Sequence, residues 1–151
     1  MKRKIIQIIL ILTIGIACEK EVKTLEMSTE EQDVFDYVNV YRKSKGLTLL
    51  TYDPTIQQEA LNHSKKMADG TIAFSHDGFS DRIARIKSAI GGSNAAENIA
   101  YGVDNSFDLM TMWRNSTEHN ANLLGGFTHA GIGIHTSPTG VRYYTLILLK
   151  L

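Results

Sequence analysis

The sequence has a single cysteine, Cys18, among 151 residues. No disulfide can therefore form within the chain, and a disulfide-stapled scaffold is excluded. It also has no excess of either charge. Lys plus Arg and Asp plus Glu both number 16, so no basic field exists of the kind nucleic acid requires, and nucleic acid is not expected as a partner. There is no His-Glu-x-x-His and no cysteine pair, the short-range signatures of metal sites, and no internal repeat or low-complexity stretch. The one long apolar run, Ile5 to Ile14, is too short to span hydrocarbon comfortably, which takes about 20 residues. What the sequence does have is 43% hydrophobic residues, normal for a packed core and too many for a disordered tail.

The apolar run reads as a targeting segment. Lys2, Arg3 and Lys4 precede it, and Gly15-Ile16-Ala17 places small residues at −3 and −1 of Cys18, the order of a secretory signal peptide over residues 1–17. Two cleavages are compatible with it: by a plain signal peptidase, or by a lipoprotein peptidase that leaves Cys18 acylated. The only thiol falling at this one position favours the second. Acyl chains on Cys18 would anchor the protein to a membrane; without them it would be secreted. Removing residues 1–17 leaves 134 residues of net charge −3. Residues 18–27 read as a charged tether, and the domain is expected over 28–151.

Ser28-Thr-Glu-Glu31 is a capping box, and Val34, Val38 and Tyr41 follow at helical spacing to the stop at Gly46, giving a helix over 29–45. Asp53-Pro54 opens a second helix over 54–69, with His63 on or beside its apolar stripe as a partly buried histidine bonded to a neighbour. A short helix is expected at 81–90. Ala95 to Ala100 is brief and mostly apolar. Ser106 would cap a further helix carrying Leu109, Met110 and Trp113, and Asn115 to Asn122 reads as polar and turn-like. From His129 the period changes to two, and His129–His135 with Val141–Leu149 form an antiparallel hairpin around Ser137-Pro-Thr-Gly140. The last strand is apolar on both faces and should be central. Helices early and strands late make an α+β domain.

Three polar residues in apolar or glycine contexts stand out: His76, Glu97 and His119. Together with Asn39 and Arg42, they come in order within Phe74-Ser75-His76, Ala96-Glu97-Asn98-Ile99-Ala100 and Trp113-x-x-Ser116-x-x-His119, followed by Ala130-Gly131-Ile132-Gly133. The order resembles that of the CAP superfamily (cysteine-rich secretory proteins, antigen 5 and pathogenesis-related 1 proteins), and most closely its bacterial branch, over about 30–150. The resemblance implies a three-layer α-β-α sandwich without disulfides and a cleft lined by His76, Glu97 and His119. The family's second acid has no counterpart, because Ser116 stands at its position; Glu118 is near in sequence but has no basis for the role.

Two imidazoles and a carboxylate on separate loops suit Zn²⁺ or another divalent cation with an open position. The same trio suits a hydrogen-bonded structural knot in which Glu97 orients an imidazole. His129 and His135 share a strand face and are either extra ligands or surface and packing residues. Gly131 and Gly133 leave a flat strip that another backbone approaches, the His119 loop being one candidate. Trp113 reads as a core anchor, and Asn98 as a backbone-bonding residue that holds the Glu97 turn.

Two functions follow from different classes. The first is an exported, envelope-anchored module that binds a lipid, glycan or peptide of the envelope through the cleft of His76, Glu97, His119, Asn98 and Ser116. The second is a metal- or serine-dependent hydrolase with Ser116, His119 and Glu97 as its catalytic residues. The sequence shows neither a nucleophile elbow nor an oxyanion hole, which favours the non-enzymatic reading.

Overall fold

The computed structural model describes residues 25–151; the signal peptide, Cys18 and most of the tether lie outside the described residues. Nine elements follow in order: α1 (Thr29–Ser44), β1 (Thr51–Tyr52), α2 (Pro54–Ala68), α3 (Phe79–Ile90), β2 (Ala95–Tyr101), α4 (Ser106–Asn115), α5 (Thr117–Leu123), β3 (His129–Thr136) and β4 (Arg142–Leu149). None of the described helices is long and apolar enough to cross a membrane.

Local chemistry sets the helix starts. Ser28 accepts from the Glu31 amide while the Glu31 carboxylate accepts from the Ser28 amide at 2.8 Å, a complete capping box. Asp53 caps α2 through the amides of Thr55 and Ile56, with Pro54 in the first turn. Helix α3 begins at Phe79, two residues before the expected start, because Gly78 takes a left-handed conformation (φ 73°) that breaks the chain ahead of it. The stretch expected to be turn-like contains a helix instead. Ser116 accepts from the His119 amide and starts α5 directly after α4, so the polar residues between 117 and 122 are a helix surface. The brief apolar segment at 95–100 is strand β2.

The sheet has the order β1-β3-β4-β2, with β1 parallel to β3 and the other pairs antiparallel. Strand β4 is central, as its two apolar faces require. Tyr144, Leu146 and Leu148 pack with Val34, Val38, Leu109, Trp113 and Leu123 of α1, α4 and α5. Ile147 and Leu149 pack with Ile56, Ala60, Ile83 and Ile86 of α2 and α3. The result is an α-β-α sandwich with two cores on opposite faces of the sheet. Each fully buried aliphatic side chain contributes roughly 1.5–3 kcal/mol.

The glycine strip of β3 receives α2, not the His119 loop. A Cβ on Gly131 would lie 2.6 Å from the Gln57 Cα, and one on Gly133 would overlap the Leu61 backbone nitrogen. Ser64 of α2 donates to the Gly133 carbonyl at 2.8 Å. Beyond the two-residue β1, the β3 edge is closed by a side chain: Glu31 accepts from the Ile134 amide at 3.1 Å and from Gln57 Nε2 at 3.1 Å. His129 bonds Thr128 Oγ1 at 2.9 Å, and His135 lies 3.8 Å from Asp69, so both have local partners.

Because the α2 backbone occupies the space, Gly133→Ala is expected to destabilise the domain by roughly 3 kcal/mol. Urea unfolding measures this; a cost indistinguishable from zero would mean that α2 is not seated on the strip.

Candidate functional site

The site is built around Glu97, whose side chain is only 2% exposed. Its place on β2, paired with Ile147, turns it to the α2–α3 face. Arg82 of α3 meets it with a two-pronged grip, Nε to Oε2 at 3.0 Å and Nη2 to Oε1 at 2.8 Å. The third guanidinium nitrogen, Nη1, donates to the Asp77 carbonyl at 2.8 Å. His76 Nδ1 lies 2.8 Å from Glu97 Oε1 and must donate, since a carboxylate only accepts. In its neutral form the His76 ring therefore carries its proton on Nδ1 and presents an unprotonated Nε2. Its side chain is 53% exposed, so this imidazole edge is where the buried network reaches solvent.

His63 of α2 backs the cluster. Its Nε2 donates to the Ser75 carbonyl at 3.0 Å and lies 3.9 Å from Glu97 Oε1, which bears out its reading as a buried histidine bonded to a neighbour. Burial, and then the adjacent Arg82 charge, hold its pKa below the ordinary histidine value. His63 is thus a neutral donor that fixes the loop leading to His76.

On the other face of β2, Asn98 is fully buried and donates to the His119 carbonyl at 3.1 Å. It accepts from Asn122 Nδ2 at 2.9 Å, and that group also lies 3.3 Å from the Glu97 carbonyl. Asn98 therefore clamps α5 to an edge strand and does not hold a turn at Glu97. Trp113 is fully buried and bonds the Ile99 carbonyl at 3.4 Å. The His119 imidazole has a buried Nδ1 without a hydrogen-bond partner. Its pKa is held down by burial, and then by the charge of His76.

The structure thus joins His76 to Glu97 directly, and connects His119 to β2 through its backbone and not its ring. Ser116 caps α5 and makes no bond to an imidazole among the described contacts, and Glu97 faces Arg82 and His76, so Ser116, His119 and Glu97 form no hydrogen-bonded relay. Glu118 is exposed on the first turn of α5. As a three-ligand metal centre the trio does not fit: both Glu97 oxygens are engaged by Arg82. Among the described residues no three His, Cys, Asp or Glu side chains are grouped to hold a metal ion.

Sequence reasoning missed Arg82, although its place four residues before Ile86 on the same inward stripe was a signal. It also missed a row of rings beside His76. Phe74 lies 4.6 Å from Tyr101, which stacks on Tyr143 at 5.6 Å; Phe74 and Tyr101 are 43% and 54% exposed. Tyr101 is four residues after Glu97 and so shares its strand face.

The sequence profile of the CAP (Cysteine-rich secretory protein) family matches residues 35–148. Two proteins of Bacillus subtilis (strain 168) are similar: the uncharacterized membrane protein YlbC, 30% identical over 129 residues covering 82% of this chain and 35% of its own length, and the uncharacterized protein YkwD, 32% identical over 111 residues covering 71% and 43%. A solved extracellular protein containing an SCP domain from Bacillus anthracis str. Ames is 33% identical with a TM-score of 0.68, covering 81% of this chain and 40% of that one. The chain spans between 35% and 43% of the length of these relatives.

The neutral His63 makes stability depend on pH in a defined direction. Its folded pKa is depressed, so the unfolded chain takes up a proton that the folded ring refuses. The His63 contribution is complete above the ordinary value of 6.5 and is lost as pH falls below it, by at most about 1.4 kcal/mol per pH unit. Urea unfolding between pH 8 and pH 5 should show this slope, and His63→Gln should reduce it, leaving the part of the same sign that His119 contributes through its own lowered pKa.

Proposed function

Since the chain belongs to the CAP (cysteine-rich secretory protein) family, we propose that it is an exported binding module of the bacterial envelope, anchored through an acylated Cys18. Its ligand is a lipid, glycan or peptide of the envelope, held against His76 and the Phe74–Tyr101 rings. The observation that carries this reading is the state of Glu97. A general base needs a free oxygen directed at the reacting group. A carboxylate that orients a catalytic imidazole needs a nucleophile on that ring's other nitrogen, whereas no hydroxyl or thiol is bonded to His76 Nε2 among the described contacts. Here the carboxylate is buried and committed to Arg82 and His76, which suits it to fixing a binding surface. An exposed imidazole edge beside exposed aromatic rings supplies one polar and one apolar element of such a surface. The extracellular description of the Bacillus anthracis relative supports export, and the mass of the mature N-terminus checks the acylation.

Purified protein is expected to bind solubilised envelope fractions saturably and without product. Tyr101→Ala and His76→Ala should each weaken binding by about tenfold, the loss of roughly 1.4 kcal/mol, with the fold intact by circular dichroism. Turnover that His119→Ala abolishes would instead establish the hydrolase.

One observation favours a second reading, a divalent cation held by imidazoles alone. The buried, partnerless Nδ1 of His119 and the Nε2 presented by His76 are both nitrogen donors, with Glu97 orienting the second from behind. Calorimetric titration with Zn²⁺ at neutral pH should then give heats that His76→Ala and His119→Ala each remove. Equal heats in wild type and variants would sink this reading.

A further inference from the structure

On the outer surface, away from Glu97, a furrow runs between α1 and α4, and we propose that two copies of this chain associate through it across a two-fold axis. Its middle is apolar and open. Tyr37, Val40 and Phe107 are 42%, 65% and 62% exposed, and Tyr37 meets Phe107 edge-on at 6.4 Å. Large apolar side chains gathered in one exposed strip mark an interaction surface, where scattered ones do not.

The two ends of the furrow carry opposite charge. One end, about 290 Å³, is lined by the carboxylates of Glu30, Asp33 and Asp104 with Arg142 as its single cation, which leaves two negative charges. The other end, about 300 Å³, is lined by Lys45 and Arg114 with no carboxylate, which leaves two positive charges. Both cations rest on the Tyr41 ring, at 5.6 and 4.7 Å from its centre, and this fixes them at that end. Tyr37 and Phe107 line both halves, so the strip is continuous.

A furrow with this polarity is complementary to itself when inverted. A two-fold axis through the Tyr37–Phe107 pair lays the acidic end of one copy on the basic end of the other, twice, with apolar middle against apolar middle. A parallel arrangement would set like charges together, so the charges select the orientation while the rings supply the burial. Two helices about 10 Å apart with α1 about 24 Å long offer a face on the order of 500 Å². That falls short of the roughly 800 Å² per partner of a stable complex, so the dimer is reversible and forms at high concentration.

The test is sedimentation equilibrium of residues 18–151, which contain every described element, with Cys18→Ser to prevent cross-linking, up to about 1 mM. The mass should rise toward twice that of one chain, and Phe107→Asp should abolish the rise. Asp33→Lys with Asp104→Lys, and Lys45→Glu with Arg114→Glu, should each stay at the mass of one chain; mixed in equal amounts they should regain the doubled mass. That rescue also shows that both variants are folded. A single-chain mass at every concentration, a dimer indifferent to these changes, or mixed variants that fail to pair would each overturn the proposal. So would a single-chain protein that sediments with phosphatidylglycerol vesicles and loses this in Phe107→Asp, which would assign the furrow to a lipid surface.

Discussion

The site depends on one ion pair, Arg82 with Glu97. Taking a carboxylate and a guanidinium out of water costs several kcal/mol for each, and only good geometry with further hydrogen bonds offsets it. This pair has both: two parallel contacts at 3.0 and 2.8 Å, the Asp77 carbonyl on the remaining guanidinium nitrogen and His76 on the carboxylate. The fork geometry matters, because a lysine would supply a point charge without the planar, paired contacts that grip both Glu97 oxygens. Through Asp77 the pair holds the loop that precedes α3; through Glu97 it sets the tautomer of the neutral His76 ring; through its positive member it adds to burial in lowering the pKa of His63. Three properties of the site thus follow from one buried contact, and removing Arg82 alone would leave a buried charge, a change in the class that costs about 3–5 kcal/mol.

Strand β2 shows how adjacent residues divide the work. Glu97 and Asn98 point to opposite faces, as strand geometry requires. One organises the loop and helix on the α2–α3 side, and the other grips α5 through the His119 carbonyl and Asn122. β2 is an edge strand, and the side-chain clamp on α5 covers one flank of it. Glu31 performs a comparable task at the far side of the sheet, closing β3 where β1 is too short to do so. In both places a polar side chain takes up backbone or helix contacts that a longer strand would otherwise supply.

What was legible in the sequence was whatever local chemistry decides. The Ser28–Glu31 box, Asp53-Pro54, the doubly apolar β4 and the alternating β3 each formed as expected, because capping and hydrophobic period act over a few residues. The CAP membership was legible from ordered motifs. The glycine strip was read correctly as a place of close backbone approach, but its occupant was not, since choosing between α2 and the His119 loop requires the packing of the whole sheet. The same limit hid α5, whose residues look like a loop until Ser116 supplies its cap. It hid Arg82 as well, because an arginine beside Asp81 resembles a solvated helix face, and only the meeting of α3 with β2 buries it. His76 and Glu97 were paired in space as their motifs suggested. The His119 ring makes no hydrogen bond to His76 or Glu97 among the described contacts, and its link to β2 runs through the backbone.

The layering keeps these roles from interfering. Glu97, Arg82, His63 and Tyr101 belong to the α2–α3 side of the sheet, whereas Tyr37, Val40 and Phe107 sit on the outer surface of α1 and α4, beyond the other core. Between them stand fully buried residues of β4 that pack into both layers. A contact made at the α1–α4 surface therefore leaves the exposed edge of His76 open, and a ligand at His76 need not displace a partner. Both surfaces lie on helices and loops that a doubly covered strand holds rigid, so the cores bear the stability while the exposed rings and charges remain available for recognition.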